Sequence, residues 1–173
     1  EERLQEFSQK LASGWNDEYE EYRRLWAELP ASRTIRDYPL LLDLELASIC
    51  NLKCPMCYTI TDEFKQKVTK GFMDFDLYKR IIDEIAGKVY AIRLSLRGES
   101  LLHKNFVECA AYAKKAGIKE VSTLTNGANL KGKKLEKILE SGIDWITISI
   151  DGTGDTYEKI RKPIKFKQII DNL

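Results

Sequence analysis

The chain has 173 residues, 43% of them hydrophobic, with 28 basic against 27 acidic side chains and a formal charge of +1. That length and composition give one globular unit with a sizeable core, and the balanced charge excludes a global field drawing in nucleic acid or an anionic membrane. The longest apolar runs are far too short to span a bilayer, and four cysteines without a signal-like apolar segment do not make a disulfide framework.

The first part, residues 1–39, reads as helical. Trp15, Tyr19, Tyr22, Trp26 and Leu29 recur at alternating steps of four and three, which puts an aromatic stripe on one face, and Pro30 is expected to end the helix. The spacing predicts an amphipathic helix docked on the domain that follows. From Leu40 the pattern changes to alternating strands and helices. Leu40 to Ala47 is a β candidate in which Leu40, Leu42, Leu44 and Leu46 alternate with Leu41, Asp43, Glu45 and Ala47. Asp43 and Glu45 then share a face, where they contact substrate or pair with Arg93. A helix carrying Leu77, Ile81, Ile82 and Ile85 follows, capped by Asp74 or Asp76 and closed by Gly87. Val89 to Leu96 is a second strand, Asn105 to Ala116 a second helix closed by Gly117, and Ile118 to Leu124 a third strand. Lys134 to Glu140 makes a third helix before Gly142, with lysines 131, 133, 134 and 137 on a solvated edge. Trp145 to Ile150 is a fourth strand, and Lys165 to Leu173 starts a fourth helix. The strand spacing is that of β-α units in a parallel sheet. A chain that opens at Glu1 and stops in a helix reads as an excerpt of a longer protein.

Three of the four cysteines, Cys50, Cys54 and Cys57, form a C-x-x-x-C-x-x-C run just after the first strand. Thiolates this dense are better explained as ligands to one metal centre than as structural residues. A cubane iron–sulfur cluster is normally held by four thiolates, so three local ones leave one iron open to a small molecule. Zinc is the competing reading and needs a fourth ligand, for which Cys109 and His103 are the candidates; Cys54 and Cys57 alone could also be a redox dithiol. Clustered free thiols fit a reducing, cytoplasmic setting. By itself Cys109 reads as a buried core residue, and His103 as a loop or capping residue or a proton carrier near the site.

Right-handed crossovers bring every strand's C-terminal end to one rim. Arg97-Gly98-Glu99-Ser100 follows the second strand, Thr125-Asn126-Gly127 the third, and Ser149-Ile150-Asp151-Gly152 closes the fourth. Each is an ordinary turn when taken alone, but here all three share the rim with the cysteine loop.

With these motifs the chain resembles the radical S-adenosylmethionine (radical SAM) enzymes, over about Leu40 to Leu173. The resemblance implies a partial (β/α) TIM-like barrel of parallel strands, an α/β fold with four β-α units legible of about six, fewer than the eight of a closed barrel. It also implies a [4Fe-4S] cluster on Cys50, Cys54 and Cys57, whose open iron takes the amine and carboxylate of S-adenosylmethionine. One electron then releases a 5′-deoxyadenosyl radical that abstracts a hydrogen atom from substrate. Met56 falls near adenine; Gly98 and Glu99 match half of a Gly-Gly-Glu-Pro motif that meets the ammonium, with Arg97 and Ser100 as departures. Asn126, Ser149 and Asp151 face the ribose and carboxylate, and Arg161 approaches the carboxylate. The partners implied are a small-molecule or peptide substrate and an electron donor such as a flavodoxin or ferredoxin. With four units of about six the excerpt lacks the strands that would complete the adenine site and the substrate wall, so alone it is expected to be inactive; relatives with Ser-x-Asp-Gly on the fourth strand often carry a C-terminal auxiliary-cluster (SPASM-like) domain. A non-catalytic iron–sulfur or zinc module and a dithiol oxidoreductase stand as the rival readings.

Overall fold

The structure is a computed structural model and describes residues 2–172; the predicted last helical residue, Leu173, lies outside them. Helices α1 (Glu2–Ala12) and α2 (Asn16–Ser32) precede strand β1 (Leu41–Asp43). The chain then runs through α3 (Asp62–Lys67), α4 (Phe75–Ile85), β2 (Ala91–Arg93), α5 (Phe106–Lys115), β3 (Glu120–Thr125), α6 (Gly132–Glu140), β4 (Trp145–Ile148), α7 (Gly154–Ile160) and α8 (Phe166–Asn172). Single 3₁₀ turns sit at Tyr58–Ile60 and Ser100–Leu102. The sheet order is β1-β2-β3-β4 with every pair parallel, so each strand lies beside its sequence neighbour, as in an arc of a (β/α) barrel.

The outer face of the arc is apolar. Leu44, Leu46, Ile92, Leu94 and Val121 pack there against Tyr78, Ile82, Phe106, Ala110 and Ile138 from the helices. In α4 the buried positions Tyr78, Ile82 and Ile85 fall at steps of four and three, one face of a helix. Asp74, one of the two predicted caps, accepts from the backbone N–H of Asp76 and Leu77, and Gly87 past the helix end has φ 73°. Tyr78 then donates to the Cys109 carbonyl at 2.8 Å, joining α4 to α5.

The inner face follows from the register. Leu41 pairs with Ala91 and Ala91 with Glu120, while Asp43 pairs with Arg93 and Arg93 with Ser122, so these residues share one side of the sheet. Near the strand starts this side is covered by Trp15, Tyr19 and Tyr22, which pack with Ala91, Tyr90, Leu40 and Leu41. Trp26, at the far end of the stripe, stays exposed. Further along, Arg93 donates through Nε and Nη2 to the two Asp43 oxygens at 2.8 and 2.7 Å, and Arg97 forks onto Glu45. Of the two predicted roles for these acids the structure shows ion pairs, Asp43 with the expected Arg93 but Glu45 with Arg97 instead.

Several expectations need correction. Pro30 does not end the N-terminal helix but sits in the last turn of α2, which closes at Arg33 in the left-handed conformation with the Arg33 and Thr34 N–H groups returning to Pro30 and Leu29. A break near Gly14, at φ 84°, makes two helices of the one predicted. Strand β1 ends at Asp43 rather than Ala47, because the backbone beyond it turns to residues 71–73: Met73 N–H donates to Leu46 and Ser48 N–H to Gly71. Strand β2 ends at Arg93 rather than Leu96, where the Ser95 hydroxyl takes the Leu124 N–H that a ladder carbonyl would have held. Helices α3 and α7 were not predicted. Lys134 is not on a solvated edge: its ammonium is tucked onto the Leu101 carbonyl, and burial draws its pKa down against the pull of Glu99.

Candidate functional site

The cysteine loop is an excursion from the sheet with a closed neck. Ala47 bridges Phe72, and Ser48 exchanges bonds with Gly71 through its backbone N–H and its hydroxyl. Gly98 fixes the loop against the second strand. Its φ is 60°, and a Cβ there would stand 2.4 Å from the Ala47 carbonyl oxygen and 2.8 Å from that of Ile49, so only glycine fits. The next residue completes the joint, Glu99 N–H donating to Ile49 at 2.8 Å.

Within the loop Cys50, Cys54 and Cys57 are free thiols, Cys54 buried and the other two half-buried. Cys50 Sγ accepts from the Leu52 N–H at 3.3 Å and lies 3.9 Å from Asn126 Nδ2. Burial pushes the Cys50 thiol above its usual value, with the Leu52 N–H acting the other way. Cys57 Sγ is 3.0 Å from the Thr59 hydroxyl. Far along the chain, Lys162 accepts from the Lys53 N–H at 2.8 Å and pins the loop to the segment after α7.

Glu99 organises the opposite wall. It is 2% exposed, and its carboxylate accepts from the Leu101 N–H at 3.1 Å, the Thr125 hydroxyl at 2.7 Å and the Asn126 N–H at 2.8 Å. Burial raises its pKa while those three donors hold it back. Asn126 in turn donates through Nδ2 to Asn51 at 2.8 Å and so links β3 to the cysteine loop.

A cleft of about 280 Å³ opens between these walls, lined by the three cysteines with Met56, Gly98, Glu99, Asn126, Ser149 and Arg161. Of the residues predicted for the site, Asp151 alone stands outside the lining; it is exposed and holds Arg161 by an ion pair to Nε. Thr59, Ser95, Leu96, Leu124 and Thr125 also line the cleft and were not predicted. Thr125 was within reach of sequence reasoning, since it adjoins Asn126 at the end of a strand.

The donor set fits an iron–sulfur cluster better than zinc. Cys109 is wholly buried in the α4–α5 core. His103 donates through Nε2 to the Met73 carbonyl and accepts the Asn105 N–H at Nδ1, a capping role. Both proposed fourth ligands are therefore engaged away from the loop. Among the described residues no three His, Cys, Asp or Glu side chains close on a single ion. Beside Cys54 a fully buried hydroxyl, that of Tyr157, lacks any partner, which suits a group bringing sulfur acceptors. No helix of the described residues is long and apolar enough to cross a membrane.

Comparison with known proteins agrees with this arrangement. The chain is 31% identical over 145 residues to the tungsten-containing aldehyde ferredoxin oxidoreductase cofactor-modifying protein of Pyrococcus furiosus, covering 73% of this chain and 39% of that one. The chain thus spans well under half the length of the curated relatives it matches. Its fold is similar to BtrN solved with AdoMet and 2-DOIA, with TM-score 0.63 and 22% identity over 80% of this chain and 53% of that one. It is also similar to SuiB of Streptococcus suis bound to the precursor peptide SuiA, with TM-score 0.59 and 18% identity over 91% of this chain and 34% of that one. The radical SAM superfamily, whose members use a [4Fe-4S] cluster and S-adenosylmethionine, matches residues 44–173, most of the sequence, and the chain belongs to it.

Proposed function

We propose that this chain carries the site where a radical SAM enzyme cleaves S-adenosylmethionine and draws a hydrogen atom from a small-molecule or peptide substrate, with a flavodoxin or ferredoxin as electron donor. The observation that carries the reading is the meeting of three free thiols, the Gly98-Glu99 joint, Asn126 and Ser149 on one cleft. Cys50, Cys54 and Cys57 would hold the [4Fe-4S] cluster. When bound, the reduced cluster supplies the electron that breaks the sulfonium bond of S-adenosylmethionine and so starts the substrate chemistry.

The protein's own part is binding and orientation. Gly98 and Glu99 would receive the ammonium of S-adenosylmethionine, with the Glu99 carboxylate held in place by its bonds to Leu101, Thr125 and Asn126. Asn126 and Ser149 would meet the ribose and the carboxylate, and Met56 would lie against adenine. Arg161, held by Asp151, would offer its guanidinium to the carboxylate. The inner-face pairs Asp43–Arg93 and Glu45–Arg97 would face the substrate side of the arc. Residues 1–39 form a helical extension and 40–173 the core domain in this reading, in a reducing cytoplasmic setting. A peptide substrate is supported by the likeness to SuiB bound to SuiA, and a small molecule by the likeness to BtrN bound to 2-DOIA.

Anaerobic incubation of the reconstituted full-length protein with dithionite and S-adenosylmethionine tests the reading. The expected product is 5′-deoxyadenosine, formed by wild type and absent from Cys57→Ala. Formation of none by a cluster-loaded wild type would favour an electron-relay module instead.

A further inference from the structure

Among the described residues the Tyr157 hydroxyl is the one buried side-chain nitrogen or oxygen without a hydrogen-bond partner. The side chain is 0% exposed and packs among Leu52, Cys54, Ala128, Ile164 and Ile169. Its ring lies 5.5 Å from that of Phe166. Leaving such a hydroxyl unpaired is unfavourable, and phenylalanine would avoid that in the same shape.

The charged and titratable groups facing this hydroxyl are Arg161 and Asp151, paired with each other, and Cys54. Burial holds the phenol above its ordinary range, so it stays a donor at neutral pH. A donor in search of an acceptor therefore sits beside the most buried of the three loop thiols.

We propose that Tyr157 is a positioning residue for the iron–sulfur cluster, its hydroxyl donating to the sulfur at Cys54 once the cluster is bound and raising the cluster's reduction potential. The inference rests on the cluster reading of Cys54. A hydrogen bond to a cluster sulfur favours the reduced form, which carries one more electron, so removing it makes the potential more negative. Packing alone would alter iron content or unfolding temperature and leave the potential where it was.

The test is a potentiometric titration, followed by electron paramagnetic resonance, of the anaerobically reconstituted full-length protein and its Tyr157→Phe variant. The variant's potential is expected to fall by about 59 mV, a tenfold change in the ratio of reduced to oxidised cluster for a one-electron couple. Iron content should be unchanged and the apo-protein at least as stable as wild type. An unchanged potential at equal iron content overturns the inference. Should Tyr157→Phe fail to load, a difluorotyrosine at position 157 keeps the shape with a more acidic hydroxyl. The potential should then move upward, and no movement overturns the inference equally. A wild type that assembles no cluster overturns both this inference and the cluster reading. A cluster indifferent to S-adenosylmethionine overturns only the proposed function, since the Tyr157 shift is read without that cofactor.

Discussion

The rim after β2 and β3 uses up its own donors and acceptors, while the cysteine loop after β1 does not. Glu99 alone takes three hydrogen bonds, from Leu101, Thr125 and Asn126, and Gly98 lets the backbone of β2 close on that of the first strand. Across the cleft stand three free thiols, and packed in one cluster with Cys54 is the buried Tyr157 hydroxyl with no partner. One wall is thus finished by folding, and the other is built to be finished by a bound group. Changes to the first wall should therefore cost stability, and changes to the second should cost cofactor.

The largest expected effect is on the unfinished wall. Cys50→Ala or Cys57→Ala should lower bound iron at least about tenfold, while moving apo-protein stability by less than about 1 kcal/mol, since both side chains are only half-buried. Iron analysis beside urea unfolding checks this, and a large stability loss would break the contrast. On the finished wall, Gly98→Ala drives a Cβ to 2.4 Å from the Ala47 oxygen at φ 60°, so a loss of about 3 kcal/mol is expected. Urea unfolding of the apo-protein measures it, and a loss below about 1 kcal/mol would contradict the close approach.

Glu99→Gln should cost about 2 kcal/mol, because an amide N–H₂ meets donors where a carboxylate oxygen met them. Its pH dependence sharpens the point. Burial raises the folded pKa of Glu99 above its ordinary value, so the folded chain binds that proton more tightly than the unfolded chain does. The resulting stabilisation is full below the ordinary carboxylate range and is lost as pH rises through the folded pKa. Unfolding followed across the acidic range should show a shallower decline in Glu99→Gln than in wild type. The smallest effect lies outside the cleft: Asp74→Ala removes the α4 cap, with an expected loss of about 1 kcal/mol and no change in iron binding.

Much of this was legible in the sequence where one physical rule acts alone. The α4 and α5 boundaries fall within a residue or two of those predicted, because apolar spacing, the Asp74 cap and the glycines after each helix agree. The strands were overestimated because alternation marks which residues face the core, not where backbone bonds go. Beyond Asp43 they go to residues 71–73, and at Ser95 a hydroxyl takes the place of a carbonyl. Helix α7 was hidden by Gly152 and Gly154 at its start, and with it Tyr157. Cys50, Cys54, Cys57, Glu99, Asn126 and Ser149 could be gathered at one rim because β-α topology brings strand ends together. The Lys134 contact with Leu101 and the bond from Thr125 to Glu99 depend on side-chain reach across the rim, which spacing does not encode.

The most direct measurement on the central claim is electron paramagnetic resonance of the reconstituted, dithionite-reduced full-length protein with and without S-adenosylmethionine. A reduced [4Fe-4S] signal that changes when the cofactor is added, and is missing in Cys54→Ala, is the predicted result. A signal that S-adenosylmethionine leaves untouched, or zinc retained with no cluster at all, would contradict the account.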